Sequence, residues 1–190
     1  MIVQIAGTSG AGKSHLVRQF MCLGEVHPVL SPKQNRVIGY NVDVPEFPTV
    51  HIAGSYETPT GGCDTIQGPA AAYNYVMERH EEGVPVLFEG LYVMHQTRGP
   101  SLAKSLGRDF VVILLTTPLA TCLASINLRR AERGSERLPP RNETEQNYIR
   151  ARNYTARMRD AGARVHRVPR EKALDTLLTA LRSANIPARM

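Results

Sequence analysis

The sequence predicts an α/β protein, a three-layer fold built on a five-stranded parallel sheet. Five short apolar or β-branched runs recur along the chain, at 2–6, 49–54, 84–90, 110–115 and 164–168, with helix-like stretches between them. Strands that alternate with helices in this way make parallel sheets joined by right-handed crossovers. The run Phe110-Val111-Val112-Ile113-Leu114-Leu115 is the most hydrophobic and suits a central strand buried on both faces. The first run leads directly into Gly7-Thr8-Ser9-Gly10-Ala11-Gly12-Lys13-Ser14, the pattern GxxxxGK[ST], followed by a helix over about 13–23.

That pattern is a P-loop, and its chemistry explains its residues. Gly7 and Gly12 let the backbone turn tightly. The N–H groups of the loop, across Thr8, Ser9, Gly10 and Ala11, can then point inward at phosphate oxygens. The helix start adds the positive end of its dipole, Lys13 reaches the β- and γ-phosphates, and the Ser14 hydroxyl ligates Mg²⁺. His15 follows in the same nucleotide-holding set. The chain therefore reads as a nucleoside triphosphate binder of the P-loop NTPase/kinase class, for which the expected strand order is 2-3-1-4-5.

Length and composition set the frame. The 190 residues suit one domain with a full core, and 42% hydrophobic with 21% charged residues is ordinary for a globular protein. No apolar run approaches the ~20 residues of a membrane span, and the first strand runs straight into functional sequence rather than a signal peptide. Cys22, Cys63 and Cys122 are scattered, which fits a reducing cytoplasm and argues against a zinc or disulfide framework. A net charge of +6 suits a protein that holds a polyanion.

The stretch 24–48 is rich in Pro, Gly and Asn, and Pro28, Pro32, Pro45 and Pro48 exclude a long helix. The strand-like Arg36–Val42 makes it a β-hairpin excursion, one that either contacts the phosphoryl acceptor or covers the sheet edge. The run 49–54 empties into a polar loop, Ser55 to Thr65, with Gly61-Gly62 inside it. Loops leaving the carboxyl ends of strands form the site crevice of open α/β sheets. Asp64 stands there either as the general base for an acceptor hydroxyl or as the cap of a helix over about 67–82, with Asp43 as the reserve candidate.

The run 84–90 ends in Glu89, a Walker-B-like position for a carboxylate that holds the Mg²⁺ shell or, alternatively, makes a structural contact to a loop N–H. Tyr92, His95 and Arg98 follow as candidate lining of the acceptor pocket. Thr116-Thr117-Pro118 starts a helix to about Arg133, and Arg129, Arg130, Arg133, Arg137 and Arg141 form an arginine-rich lid over about 129–141. Such arginines either neutralise the transferring phosphoryl group or keep a face solvated; Arg129 and Arg133 share a helix face by i,i+4 spacing and are the first choices. A helix over about 142–161 buries Ala151, Tyr154, Thr155, Met158 and Ala161, flanked by Arg150/Arg157 and Arg152/Arg159, rails that track a nucleic-acid backbone or simply solvate the helix. After the last strand, Pro169-Arg170 falls where many nucleotide kinases approach adenine. The whole is read as one domain over 1–190.

The P-loop, the loop Gly54-Ser55-Tyr56-Glu57-Thr58 to Gly61-Gly62-Cys63-Asp64-Thr65-Ile66, the strand Val86-Leu87-Phe88-Glu89-Gly90-Leu91 and the stretch Leu115-Thr116-Thr117-Pro118 to Asn127-Leu128-Arg129-Arg130 resemble the bacteriophage 5-hydroxymethyluracil DNA kinases. The resemblance implies an enzyme, encoded by a phage and working in the infected cell's cytoplasm, that acts on DNA containing 5-hydroxymethyldeoxyuridine. It implies transfer of the γ-phosphate of ATP, with Mg²⁺, to the hydroxymethyl oxygen as a step in thymidine hypermodification. Within a duplex that oxygen is out of reach of such a site, so a flipped base or a single strand is expected. No aromatic-rich stacking platform is visible, with four Phe, seven Tyr and no Trp. On the sequence, a kinase of a small acceptor (nucleoside, nucleotide or sugar) and a nucleotide-dependent switch protein stay open beside it.

Overall fold

The computed structural model describes residues 1–32, 35–58, 61–95, 97–134 and 141–183. In chain order its elements are β1 (Ile2–Ala6), α1 (Lys13–Met21), β2 (Glu25–Leu30), β3 (Val37–Asp43), β4 (Val50–Ala53), α2 (Pro69–Glu81), β5 (Val86–Glu89), α3 (Arg98–Leu106), β6 (Phe110–Leu115), α4 (Leu119–Glu132), α5 (Arg141–Asp160), β7 (Arg164–Val168) and α6 (Ala173–Arg182).

Among the described residues seven strands, not five, form one sheet in the order β2-β3-β4-β5-β1-β6-β7. Strands β4, β5, β1, β6 and β7 pair in parallel. The other two, β2 and β3, pair antiparallel with each other, and β3 pairs antiparallel with β4 through Gly39↔Ala53, Tyr40↔Ile52, Asn41↔His51 and Val42↔Val50. The 24–48 stretch is therefore the edge of the main sheet and not an excursion beside it. Counted among themselves, the five parallel strands stand as 2-3-1-4-5, so the departure lies wholly in the added hairpin. Its cause is burial: Tyr40 and Val42 pack into the core only if β3 lies against β4. Pro28 is tolerated because β2 is the edge strand, where a missing N–H leaves no ladder bond unmade on the open side.

Alternation along β1 and β6 divides the core into two faces. Val3, Ile5, Val111, Ile113 and Leu115 pack with residues of α1 and α6. Ile2, Ala6, Phe110, Val112 and Leu114 pack with α2, α3 and α5. On α5 the buried positions are Thr144, Asn147, Ala151, Tyr154, Thr155 and Met158, so four of the five expected residues are buried and the stripe reaches further toward the N-terminus, while Ala161 lies just past the helix and is partly buried. Tyr154 donates to Gln4 Oε1 at 2.6 Å and stands 3.1 Å from the Tyr73 hydroxyl, which in turn donates to the Val93 carbonyl at 3.1 Å. Buried polar groups linked in this way specify one arrangement, and here they tie the central strand to the turn that follows β5. No helix among the described residues is long and apolar enough to cross a membrane.

Candidate active site

The P-loop follows β1 at its carboxyl end, with Gly12 at the start of α1 and Lys13 as the first helical residue. Two contacts fix the loop. Thr117 donates to the Ala11 carbonyl at 2.8 Å, and Gly10 lies so close to the first turns of α4 that a Cβ there would sit 2.2 Å from the Cys122 carbonyl oxygen. Lys13 is buried, with its ammonium donating to the Thr8 carbonyl at 3.1 Å. Ser14 donates to Glu89 Oε1 at 2.6 Å.

Glu89 ends β5 beside β1 and is almost fully buried. Burial pushes its carboxyl above the usual range; Lys13 and the Ser14 hydroxyl pull it back in part, and Asp64 pushes it further up. Gly62 makes room for it, because a Cβ there would meet Glu89 Oε1 at 2.7 Å. A buried carboxylate against a hydroxyl at a helix start is the oxygen donor set that a hard divalent cation takes.

Asp64 lies in a short turn, Cys63–Thr65, and is exposed. It does not cap the following helix. That helix, α2, begins after Gly68 without a side-chain cap, while Asp64 accepts from the N–H groups of Leu91 at 3.2 Å and Tyr92 at 3.4 Å. Its carboxylate is thus clamped to the strand end that carries Glu89. Asp43 accepts from Thr49 and pairs with His27 at 3.2 Å on the outer hairpin, away from this site.

These groups share one cleft of about 540 Å³. Its floor is the P-loop with Lys13 and Ser14, and its walls include Asp64, Glu89, Leu91 and Tyr92 on one side and Ser125, Leu128, Arg129 and Arg170 on others. Arg129 donates through Nε to the Ser125 carbonyl at 3.3 Å; burial and then Arg133 lower its pKa. Arg170 lies against Gly12, where a Cβ would be 3.0 Å from its Nε. His15 sits at the exposed lip, and partial burial, Arg170 and Arg18 hold its pKa below the ordinary value. Lys13, Arg18, Arg129 and Arg170 outnumber Asp64 and Glu89 here, a balance that suits a polyphosphate.

The cleft does not take in every candidate. Arg133 is exposed at the end of α4 and is not among the lining residues. Arg141 pairs with Glu145 at 2.9 Å and Arg98 with Asn74, both elsewhere. Arg137 and the His95 side chain lie outside the described residues. Conversely, sequence reasoning missed Arg18. Its guanidinium donates to the Tyr56 carbonyl at 3.2 Å and to the Thr58 carbonyl and stands 5.7 Å from the Tyr56 ring centre, joining α1 to the loop that carries Asp64. The i,i+4 spacing from Ser14 was the available signal, since it puts Arg18 on the same helix face. The Leu91 and Tyr92 N–H groups left no signal, because any residue supplies a backbone donor.

No protein-family model and no solved structure matches this chain. Among curated proteins it is 38% identical over 130 residues to the 5-hmdU DNA kinase of Pseudomonas phage PaMx11, a match spanning 68% of this chain and 69% of the phage protein. Identity at that level over that share of both sequences places the protein in the family of 5-hmdU DNA kinases.

Proposed function

We propose that this kinase transfers the γ-phosphate of ATP to the hydroxymethyl oxygen of 5-hydroxymethyldeoxyuridine in phage DNA, in the cytoplasm of the infected cell. One observation carries the reading: Asp64, clamped by two backbone N–H groups, shares a cleft with Lys13, Ser14 and Glu89. A general base beside a P-loop is what transfer to an alcohol needs and what a switch protein does without.

In this mechanism Lys13 and the loop N–H groups hold the β- and γ-phosphates at the start of α1. Ser14 and Glu89 would hold Mg²⁺, which would supply positive charge to offset that of the phosphates. Asp64 orients the acceptor hydroxyl and takes its proton as the oxygen bonds to the γ-phosphorus; the bond to the β,γ-bridging oxygen breaks, and ADP leaves. Arg129 faces the negative charge of the transferring group, and Arg170 with His15 borders the nucleotide. The lid role that the sequence divides between Arg129 and Arg133 falls to Arg129, the one of the two that lines the cleft.

The test is incubation with γ-labelled ATP and Mg²⁺ and four acceptors: 5-hydroxymethyluracil DNA, thymine DNA, and the free modified nucleoside and nucleotide. Label confined to the modified DNA, recovered on the base after nuclease digestion, is the expected result. Label in a free compound makes the protein a small-molecule kinase.

A further inference from the structure

Large apolar side chains that stand open to solvent are few among the described residues: Leu23, Leu30, Tyr92, Leu128 and Ile149. Single exposed residues of this kind are ordinary. Two of them, however, line the catalytic cleft, Tyr92 at 59% exposure and Leu128 at 63%. Tyr92 is also the only Phe or Tyr among the described residues that line it.

Resting on the acceptor reading above, we propose that Tyr92 is the platform on which the extruded acceptor base stacks, with Leu128 of α4 packing on the base from another wall. The chemistry fixes where a platform must be. The reacting oxygen is attached to the pyrimidine through a single methylene, so a hydroxyl in reach of Asp64 brings the whole ring next to whatever borders Asp64. Among the described residues that border it, Leu91 and Tyr92 hold it with their own N–H groups. Leu91 is partly buried and packs on the core, whereas Tyr92 stands open. The cations of the cleft suit phosphates, and the phenol ring of Tyr92, 59% exposed, is the flat apolar surface that lines the cleft beside Asp64.

A lone ring resolves a difficulty in the composition. Proteins that track a single strand line up several aromatic residues, one for each base, and this chain has no such run. A site that takes one base out of the stack needs one ring, placed beside the general base. Leu128 immediately precedes Arg129 on α4, so one helix presents an apolar group for the base and a cation for the phosphoryl group.

Steady-state kinetics test this on a single-stranded oligonucleotide carrying one 5-hydroxymethyldeoxyuridine, with wild type, Tyr92→Phe, Tyr92→Ala and Leu128→Ala. Tyr92→Phe keeps the wild-type KM for DNA, and Tyr92→Ala raises it roughly 10- to 100-fold, the range for loss of one base–aromatic stack. Leu128→Ala raises it about 5-fold through lost apolar contact. In all three the KM for ATP stays at the wild-type value, which a merely structural defect at the cleft would not allow. An unchanged DNA KM in Tyr92→Ala, or a Phe variant as impaired as the Ala variant, overturns the platform. A wild-type enzyme that labels no modified DNA overturns the acceptor reading itself, and shows it before any variant is made.

Discussion

Ser14 donates its hydroxyl hydrogen to Glu89 Oε1 across 2.6 Å, joining the first turn of the P-loop helix to the end of β5. The carboxylate that accepts it is buried, and burial holds its pKa above the ordinary carboxylate value. As pH rises above that ordinary value, the unfolded chain releases this proton before the folded one does. Stability of the ligand-free protein therefore falls with rising pH on account of Glu89. Glu89→Gln removes the charge and leaves an oxygen to accept from Ser14. The variant is expected to melt at or above the wild-type temperature without nucleotide, by a margin that widens as pH rises above the ordinary carboxylate value. Kinase activity is expected to fall at least ~100-fold, because an amide is a poor cation ligand. Calorimetric scans with paired activity assays check both halves. A variant less stable than wild type at pH 8 would mean that Lys13 and Ser14 more than offset the burial.

Asp64 carries a different consequence, since it is exposed and its carboxylate already receives two N–H bonds. Asp64→Asn keeps an acceptor for one of them and loses the capacity to take a proton. Phosphoryl transfer is expected to drop ~10²- to 10⁴-fold, the usual worth of a general base, while ATP affinity by titration calorimetry stays within about twofold. Near-normal transfer would remove Asp64 as the base.

What the sequence disclosed and what it hid follow from the kind of interaction involved. The P-loop and the parallel strands were legible because local pattern encodes them: a phosphate cradle needs its glycines, and a doubly buried strand such as Phe110–Leu115 has no polar face to alternate. The pairing of β3 with β4 was not legible. Whether an antiparallel hairpin lies beside a sheet or joins its edge depends on contacts such as Tyr40 against Tyr56, whose ring centres are 6.3 Å apart and whose positions are sixteen residues distant. At the site, Lys13, Ser14, Asp64, Glu89, Arg129 and Arg170 were nameable from their places relative to strand ends, and the cleft brings them together. Arg133 stays outside because α4 ends just before it, so the shared face of the i,i+4 pair does not extend both side chains into the cleft. Arg18 was hidden because its partners are backbone carbonyls of a distant loop.

Gly10 is a variable position of the P-loop pattern, yet the fold demands glycine there. Its φ is +77°, and an added Cβ would stand 2.2 Å from the Cys122 carbonyl oxygen, a backbone atom that cannot swing aside. Gly83 offers the comparison: its φ is +83°, but a Cβ there meets nothing within 4 Å. Gly83→Ala is expected to cost about 1 kcal/mol from backbone strain alone. Gly10→Ala should cost at least ~2 kcal/mol more, because α4 must move to relieve the overlap. It should also weaken ATP binding, since α4 carries Arg129. Denaturant midpoints for the two variants measure the difference; equal losses would show that φ, and not the packing of α4 on the loop, sets the requirement.

His51 sets the acid side of the stability profile. It is buried on β4, with Nδ1 2.8 Å from Asn41 Oδ1, the Tyr75 ring centre at 5.3 Å, and no hydrogen-bond partner for Nε2 among the described residues. Burial and then Arg79 lower its pKa from 6.5 to about 4. The unfolded chain thus takes up this proton as pH falls through 6.5, while the folded protein resists until about pH 4. Stability is present above the unfolded value and is lost across that window, by up to ~3 kcal/mol at 1.36 kcal/mol per unit. His15 and His80, also held low but less buried, add to the same slope. Urea midpoints measured from pH 7 down to pH 4 should therefore fall for wild type and fall clearly less for His51→Gln, which keeps a polar group opposite Asn41 and has no proton to take up. Parallel curves for the two proteins would assign the acid loss to other groups and leave His51 a packing residue only.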